Sequence, residues 1–170
     1  MTAAASELCK ACGLCCNGVM FHLVRLQPTD IPQDLVALGL RIKRKKNGAH
    51  ILQPCPAYQC SSCSIYPSRP ERCRLFECQQ LRRIALGQIT QEAASEKIRD
   101  VQARVERIDS LLRASGKTDE SRPLSKRYEK VIAVPLHSGL DENTVKLRQS
   151  LTREMEELDA ILDADFRVAD

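Results

Sequence analysis

The sequence predicts an α+β fold in which a small cysteine-rich, metal-bound module precedes a mostly α-helical hairpin. Three observations lead there. All nine cysteines lie between Cys9 and Cys78, a density of 9/78, or about 12%, which marks a cross-linked or metal-bound scaffold. Beyond Cys78 the chain has none. Over the same boundary the apolar pattern changes from short interrupted runs to long helical spacing. Residues 1–88 therefore read as a metal-binding module and residues 89–170 as a helical extension, consistent with one domain plus an appendage at this length.

From Cys9 to Cys16 the tight spacing, with Gly13 and Gly18 interrupting, predicts a loop. Val19–Leu26 is rich in β-branched and bulky apolar residues and predicts a strand. Thr29–Pro32 offers a helix start, with Asp30 as cap, Leu35, Val36 and Leu38 inward, and Gly39 as the stop. Arg41–Gly48 ends in Asn47-Gly48, a hairpin turn signal, and Ala49–Gln53 is the returning strand. Pro54, Pro56, Pro67 and Pro70 break regular structure through the second cysteine group. From Arg72 one helix can continue through Leu81, Ile84 and Ala85 to Gly87.

Thr90 caps a helix from Gln91 to Ala114, stopped by Gly116, whose Ile98, Val101, Val105, Ile108 and Leu112 form a heptad seam. Lys117–Lys126 is a polar linker containing Pro123, and Tyr128–Leu136 is apolar but fits either strand or helix. Ser138 or Asp141 begins a last helix with Leu147, Leu151, Met155, Leu158, Leu162 and Phe166 on one face. The two amphipathic helices form an antiparallel hairpin, packed together or against a protein partner. Seams of only about three heptads favour internal packing, and the oligomeric state stays open.

The net charge of +4 is uneven: residues 1–80 carry 10 Lys and Arg against 5 Asp and Glu, and the remainder 16 against 17. Four thiolates around one zinc(II) leave −2, so the basic excess needs no anionic partner. Six aromatic residues are too few for a base-stacking surface, and Arg41–Lys46 reads as a solvated hairpin tip rather than a nucleic-acid contact. No apolar run approaches the roughly 18 residues of a membrane span. Met1–Ser6 lacks the basic region and apolar core of a secretory signal. The expected setting is the cytoplasm, where dense cysteine binds metal rather than forming disulfides; an odd count of nine agrees. Neither a Gly-rich phosphate loop nor a His-x-Glu zinc-deaminase motif is present.

The first cysteine group is Cys9-x2-Cys12-x2-Cys15-Cys16 and the second Cys55, Cys60-x2-Cys63, Cys73 and Cys78. A two-residue gap lets both sulfurs reach one ion at roughly 2.3 Å for zinc. The iron–sulfur run of bacterial ferredoxins also begins Cys-x2-Cys-x2-Cys. Adjacent Cys15 and Cys16 point in different directions, so one of them belongs to a second centre. Eight cysteines fill two four-ligand sites, or one cluster plus one structural ion, leaving one over. Of His22, His50 and His137, His22 alone lies near the first group as an auxiliary ligand. Arg69 and Arg74 flank Cys73 as donors of hydrogen bonds to thiolate sulfur, while Ile65, Tyr66 and Phe76 shield the site from water.

Cys9-x2-Cys12-x2-Cys15-Cys16, then Cys55-Pro56, then Cys63-Ser64-Ile65-Tyr66-x2-Arg69-Pro70-x2-Cys73-Arg74-x-Phe76 resembles the YkgJ-type CxxCxxCC family, a zinc- or iron-chelating domain. The resemblance covers residues 9–78. It implies ligands at Cys9, Cys12, Cys15, Cys16, Cys55, Cys63 and Cys73, with Cys78 frequently matching, and leaves Cys60 outside. Some larger proteins with a similar cluster are flagellin lysine methylases, in which it is associated with an iron–sulfur centre. That implies an iron–sulfur cofactor as the alternative to zinc here, not the methylase activity. Two classes of function follow: an iron–sulfur enzyme or electron carrier, or a zinc-stabilised interaction module. No substrate pocket can be read from the sequence, so whether the chain is an enzyme stays open.

Overall fold

The computed structural model describes residues 3–116, 119–135 and 141–168. Lys117 at the head of the linker, and Leu136, His137 and Ser138 after it, lie outside them.

Alanine-rich Ala3–Cys12 forms α1, so Cys9 and Cys12 sit on a helix and not in the loop their spacing suggested. Their i, i+3 separation places them on one helix face. Gly13, at φ 65°, ends the helix in the left-handed conformation. The strand expected over Val19–Leu26 is reduced to β1 (Leu23–Arg25), because Val19 and Phe21 pack against the helical core instead. β2 (Ile42–Lys45) and β3 (Gly48–Leu52) form the expected hairpin, with Lys45 opposite Gly48, so the turn is Lys46–Asn47, one residue early. The three strands are antiparallel in the order β1-β3-β2.

Asp30 does not cap α2 (Pro32–Ala37). Its carboxylate accepts instead from Gln27 N at 2.8 Å and from Glu71 N at 2.9 Å, tying this segment to the start of α3 (Glu71–Leu75). Of the three apolar residues expected to face inward only Leu35 is buried; Val36 and Leu38 are exposed. Leu35 joins Leu26, Leu40, Ile51 and Ala57 in a small cluster beneath the sheet.

The single helix expected from Arg72 to Gly87 is two, α3 and α4 (Gln79–Ala85), separated by extended backbone at Phe76 and Cys78. Tertiary contacts override local propensity there. The Phe76 ring meets Phe21 edge-on at 5.1 Å, and Gln79 N donates to Phe166 O at 3.0 Å.

α5 (Gln91–Ala114) and α7 (Glu142–Asp165) fall where their caps and seams indicate. Thr90 Oγ1 accepts from Ala93 N at 3.2 Å, and Asp141 Oδ1 from Thr144 N at 2.9 Å. The α5 seam is buried throughout, as are Leu151, Met155, Leu158, Leu162 and Phe166; Leu147 is only half-buried and Arg148 goes inward. Ion pairs Lys97–Asp165 (3.1 Å), Arg104–Glu157 (2.5 Å) and Arg107–Glu154 (3.6 Å) descend along one helix as they climb the other, so the two are antiparallel. Of the segment Tyr128–Leu136, which fits either strand or helix, Tyr128–Ile132 belong to α6 (Leu124–Ile132), which begins inside the expected polar linker and packs against α5 and α7. Arg148 caps its end, donating to Val134 O at 2.6 Å and Ile132 O at 2.8 Å and so satisfying terminal carbonyls.

Helix makes up 54% and strand 10%, arranged in seven helices and small antiparallel sheets among the described residues, so the fold is α+β. The main hydrophobic cluster crosses residue 88: Leu8, Leu14, Met20 and Leu81 are buried with the seams of α5 and α7.

Candidate metal centre

Each cysteine owes its position to a separate local device. α1 carries Cys9 and Cys12, and its last carbonyls, Ala11 O and Cys12 O, each accept from Gln102 Nε2 of α5 at 3.0 Å. At Gly13 the chain turns so closely under Tyr58 that a Cβ would overlap its ring. Cys16 N and Asn17 N both donate to Gly13 O, at 2.8 and 2.9 Å, which fixes Cys15 and Cys16 in a tight turn.

The second cysteine group reaches the first through one backbone bond, Cys55 N to Cys16 O at 2.7 Å. Cys63 stands opposite Tyr58 in a two-stranded ribbon of β4 (Tyr58–Gln59) and β5 (Ser62–Cys63). Its turn residues Cys60 and Ser61 have φ 47° and 56°, the sign pattern of a type I′ turn, which carries Cys60 out to an exposed tip. Cys73 lies on α3, whose start Asp30 holds. Cys78 precedes α4, where Gln79 and Gln80 clasp the end of α7 through Arg167 O (2.5 Å) and Asp165 O (2.8 Å).

The eight cysteines other than Cys60 are all half-buried free thiols. Burial pushes Cys12 and Cys73 up to about 12 and raises Cys9, Cys15, Cys16, Cys55 and Cys78 as well. Neighbouring thiols add to the rise in two overlapping sets, linked by the effects of Cys63 on Cys9, of Cys9 on Cys16 and of Cys16 on Cys15. Cys12 is affected by Cys78 and Cys9, and Cys15 by Cys12, Cys16, Cys78 and Cys9. Cys16 is affected first by Cys55, Cys73 and Cys63, and Cys73 by Cys55 and Cys63.

Packing separates four of the thiols: Cys12, Cys15 and Cys78 lie against the helical core, Cys55 against the sheet cluster. Among the described residues no three His, Cys, Asp or Glu side chains close on a common point, so these are neighbourhoods of thiols, not formed coordination shells.

The donor set fits a soft, thiophilic metal. Buried thiols become thiolates only when a cation takes up their charge, and protein cations are few here. The Arg69 guanidinium lowers Cys9 and Cys73 against the burial effect, and is itself held over the Tyr66 ring at 3.5 Å with Nε donating to Tyr66 O at 3.0 Å. Arg74 is exposed on α3. Arg41 lowers Cys55 and donates to Pro54 O at 2.8 Å, a role hidden by its place at the head of a basic run. His22 Nε2 is engaged by Ser125 of α6, and burial lowers the pKa of the ring. All-sulfur ligation selects zinc or iron–sulfur over harder ions.

Among the described residues no helix is long and apolar enough to cross a membrane. No curated protein and no solved structure matches the chain. One family does, over residues 8–104, which takes in both cysteine groups and continues into α5 beyond the motifs themselves. It is described as "Putative zinc- or iron-chelating domain", the cofactor class that the all-sulfur donor set selects. With more than half of its length matched, the chain belongs to the CxxCxxCC family.

Proposed function

We propose that this is a cytoplasmic metal–thiolate protein with two four-cysteine centres. Cys9, Cys12, Cys15 and Cys78 form one, and Cys16, Cys55, Cys63 and Cys73 the other. The observation that carries this reading is the packing of Cys12, Cys15 and Cys78 against the helical core while Cys55, whose N donates to Cys16 O, lies against the sheet cluster. Adjacent side chains diverge, so two consecutive cysteines serve two centres more readily than one. Free thiols throughout, odd in number, suit a reducing compartment.

Iron–sulfur is the first reading of the metal. In two-cluster ferredoxins three cysteines of a Cys-x2-Cys-x2-Cys run join a remote cysteine while the next in sequence serves the other cluster. Here Cys78 is the remote partner and Cys16 the one passed on. Two centres joined by one peptide and shielded by Ile65, Tyr66 and Phe76 suit electron transfer, since burial and nearby donors set the potential. Zinc is the second reading, favoured by four-thiolate sites closed to further ligands.

Anaerobic purification followed by visible spectroscopy and metal analysis by mass spectrometry decides between them. Brown protein with iron and acid-labile sulfide supports the first reading. Colourless protein with two zinc ions per chain supports the second. In either case Cys12→Ser and Cys73→Ser each lose metal while Cys60→Ser keeps it all. Full metal content in Cys73→Ser overturns the assignment.

A further inference from the structure

Tyr58 ties the two cysteine groups together, although the cysteine motifs pass over it. Its backbone N donates to Cys55 O at 3.0 Å, and its Cα stands opposite Cys63 in the β4–β5 ribbon. Its ring lies over Gly13, between Cys12 at the end of α1 and the Cys15–Cys16 turn. The approach is close: a Cβ at Gly13 would come within 1.8 Å of Tyr58 Oη and 2.2 Å of its Cζ. Glycine therefore does two things at this position. Its φ of 65° ends α1, and its bare Cα makes room for the phenol.

The same contacts bring Tyr58 to Cys16. Gly13 O accepts from Cys16 N at 2.8 Å, and Cys16 O accepts from Cys55 N at 2.7 Å, so the glycine under the ring and the cysteine bonded to Tyr58 both hold Cys16. Burial raises the phenol pKa, the Ser61 side chain lowers it, and the charges of Cys16 and then Cys12 raise it again, which puts both sulfurs within electrostatic reach. A phenol keeps one proton to donate while its lone pairs accept from a neighbour such as Ser61. Packing on Gly13 needs only the ring, and a tyrosine hydroxyl under cover takes a hydrogen-bond partner. A thiolate accepts only, and a bond from a hydroxyl to it is charge-assisted.

We propose that the Tyr58 hydroxyl donates a hydrogen bond to the metal-bound sulfur of Cys16 and so sets how firmly that centre holds its metal. The inference rests on the two-centre reading and deepens it, with Tyr58 as a positioning residue for the centre of Cys16, Cys55, Cys63 and Cys73.

The test uses the full chain purified anaerobically with its metal, beside Tyr58→Phe, which keeps the ring on Gly13 and removes the hydroxyl. Chelator competition is expected to show metal held about 10-fold less tightly in Tyr58→Phe, the lower end of what outer partners of metal ligands contribute. Iodoacetamide labelling read site by site by mass spectrometry, at initial rates before metal is released, should show Cys16 alkylated several-fold faster and Cys73 unchanged. Replacing tyrosine biosynthetically with 3-fluorotyrosine, a stronger donor of nearly the same shape, should reverse the effect and slow Cys16 below wild type. Equal acceleration of Cys16, Cys55, Cys63 and Cys73 in Tyr58→Phe means a loosened site and overturns the proposal. Acceleration of Cys12 in place of Cys16 overturns the choice of acceptor. Where Tyr58→Phe does not hold metal at all, the fluorotyrosine protein decides, and an unchanged Cys16 rate there overturns the proposal. Wild type that purifies without metal overturns the two-centre reading as well. Metal-replete protein with equal affinity and equal Cys16 rates in wild type and Tyr58→Phe overturns this inference alone.

Discussion

The helical cluster joins seventeen buried side chains among the described residues; the cluster beneath the three-stranded sheet joins five. The first is closed by two 24-residue helices whose seams interlock along their length. The second has Leu26, Leu35, Leu40, Ile51 and Ala57 to hold three short strands, one short helix and several loops. Ordering backbone costs about 1–2 kcal/mol per residue, which so few side chains do not offset by themselves. Thiols rest on both. Cys12, Cys15 and Cys78 rest on the large cluster, whereas Cys55 rests on the small one. One part of the molecule is held by apolar packing, and on the proposed function the other would be completed by metal.

The largest expected effect is that of metal removal. A structural zinc site of this kind supplies on the order of 10–16 kcal/mol of folding free energy. Chelation should therefore abolish hydrogen-exchange protection over β1–β3 and the β4–β5 ribbon while α5 and α7 keep theirs. Exchange of α5 and α7 in step with the sheet would show that the two clusters fold as one and that the contrast drawn above is false. Partial retention has a structural basis at α1: Leu8 is buried in the helical core and Gln102 holds the helix end, so Cys9 and Cys12 should stay ordered longer than Cys63.

Next in size is the converse experiment. Leu112 is 0% exposed within the α5 seam. Leu112→Ala should cost about 2–5 kcal/mol in denaturant unfolding followed by helical circular dichroism, through lost burial and the cavity left behind. Metal content per folded chain should be unchanged, because Leu112 lies at the far end of α5 from Gln102 and α1. Loss of metal in this variant would couple the two parts more tightly than their packing implies.

The same contrast separates what was legible in the sequence from what was not. The two long helices, α5 and α7, were legible because their signals are local or periodic: Thr90 and Asp141 cap what they precede, and Ile98 to Leu112 repeat on one face. In the cysteine half the deciding contacts are distant. Asp30 looks like a helix cap but holds Glu71, 41 residues away. The break between α3 and α4 depends on Phe21 and Phe166, which no window around Phe76 contains. The adjacency of Cys15 and Cys16 is the sequence feature behind their assignment to different centres. The positions of Cys55 and Cys78 were not legible, because the Cys16–Cys55 backbone bond and the clasp of α4 on α7 set them.

The smallest expected effect tests how far the local signals act alone. Thr90 Oγ1 satisfies one of the otherwise unpaired donors in the first turn of α5, and Thr90→Ala removes that bond. Caps of this kind are worth about 1 kcal/mol, so the variant should unfold at slightly lower denaturant with an unchanged slope. α2 provides the internal control, since it begins without a side-chain cap and is held by Leu35 and the bonds made by Asp30. Asp30→Ala removes tertiary bonds rather than a cap, and it should loosen α3 and with it Cys73. A small stability loss with full metal in Thr90→Ala, beside metal loss in Asp30→Ala, would place the dividing line between local and tertiary stabilisation at α4. Equal metal loss in both would mean that the start of α5, which lies inside the matched family region, also shapes the thiol sites.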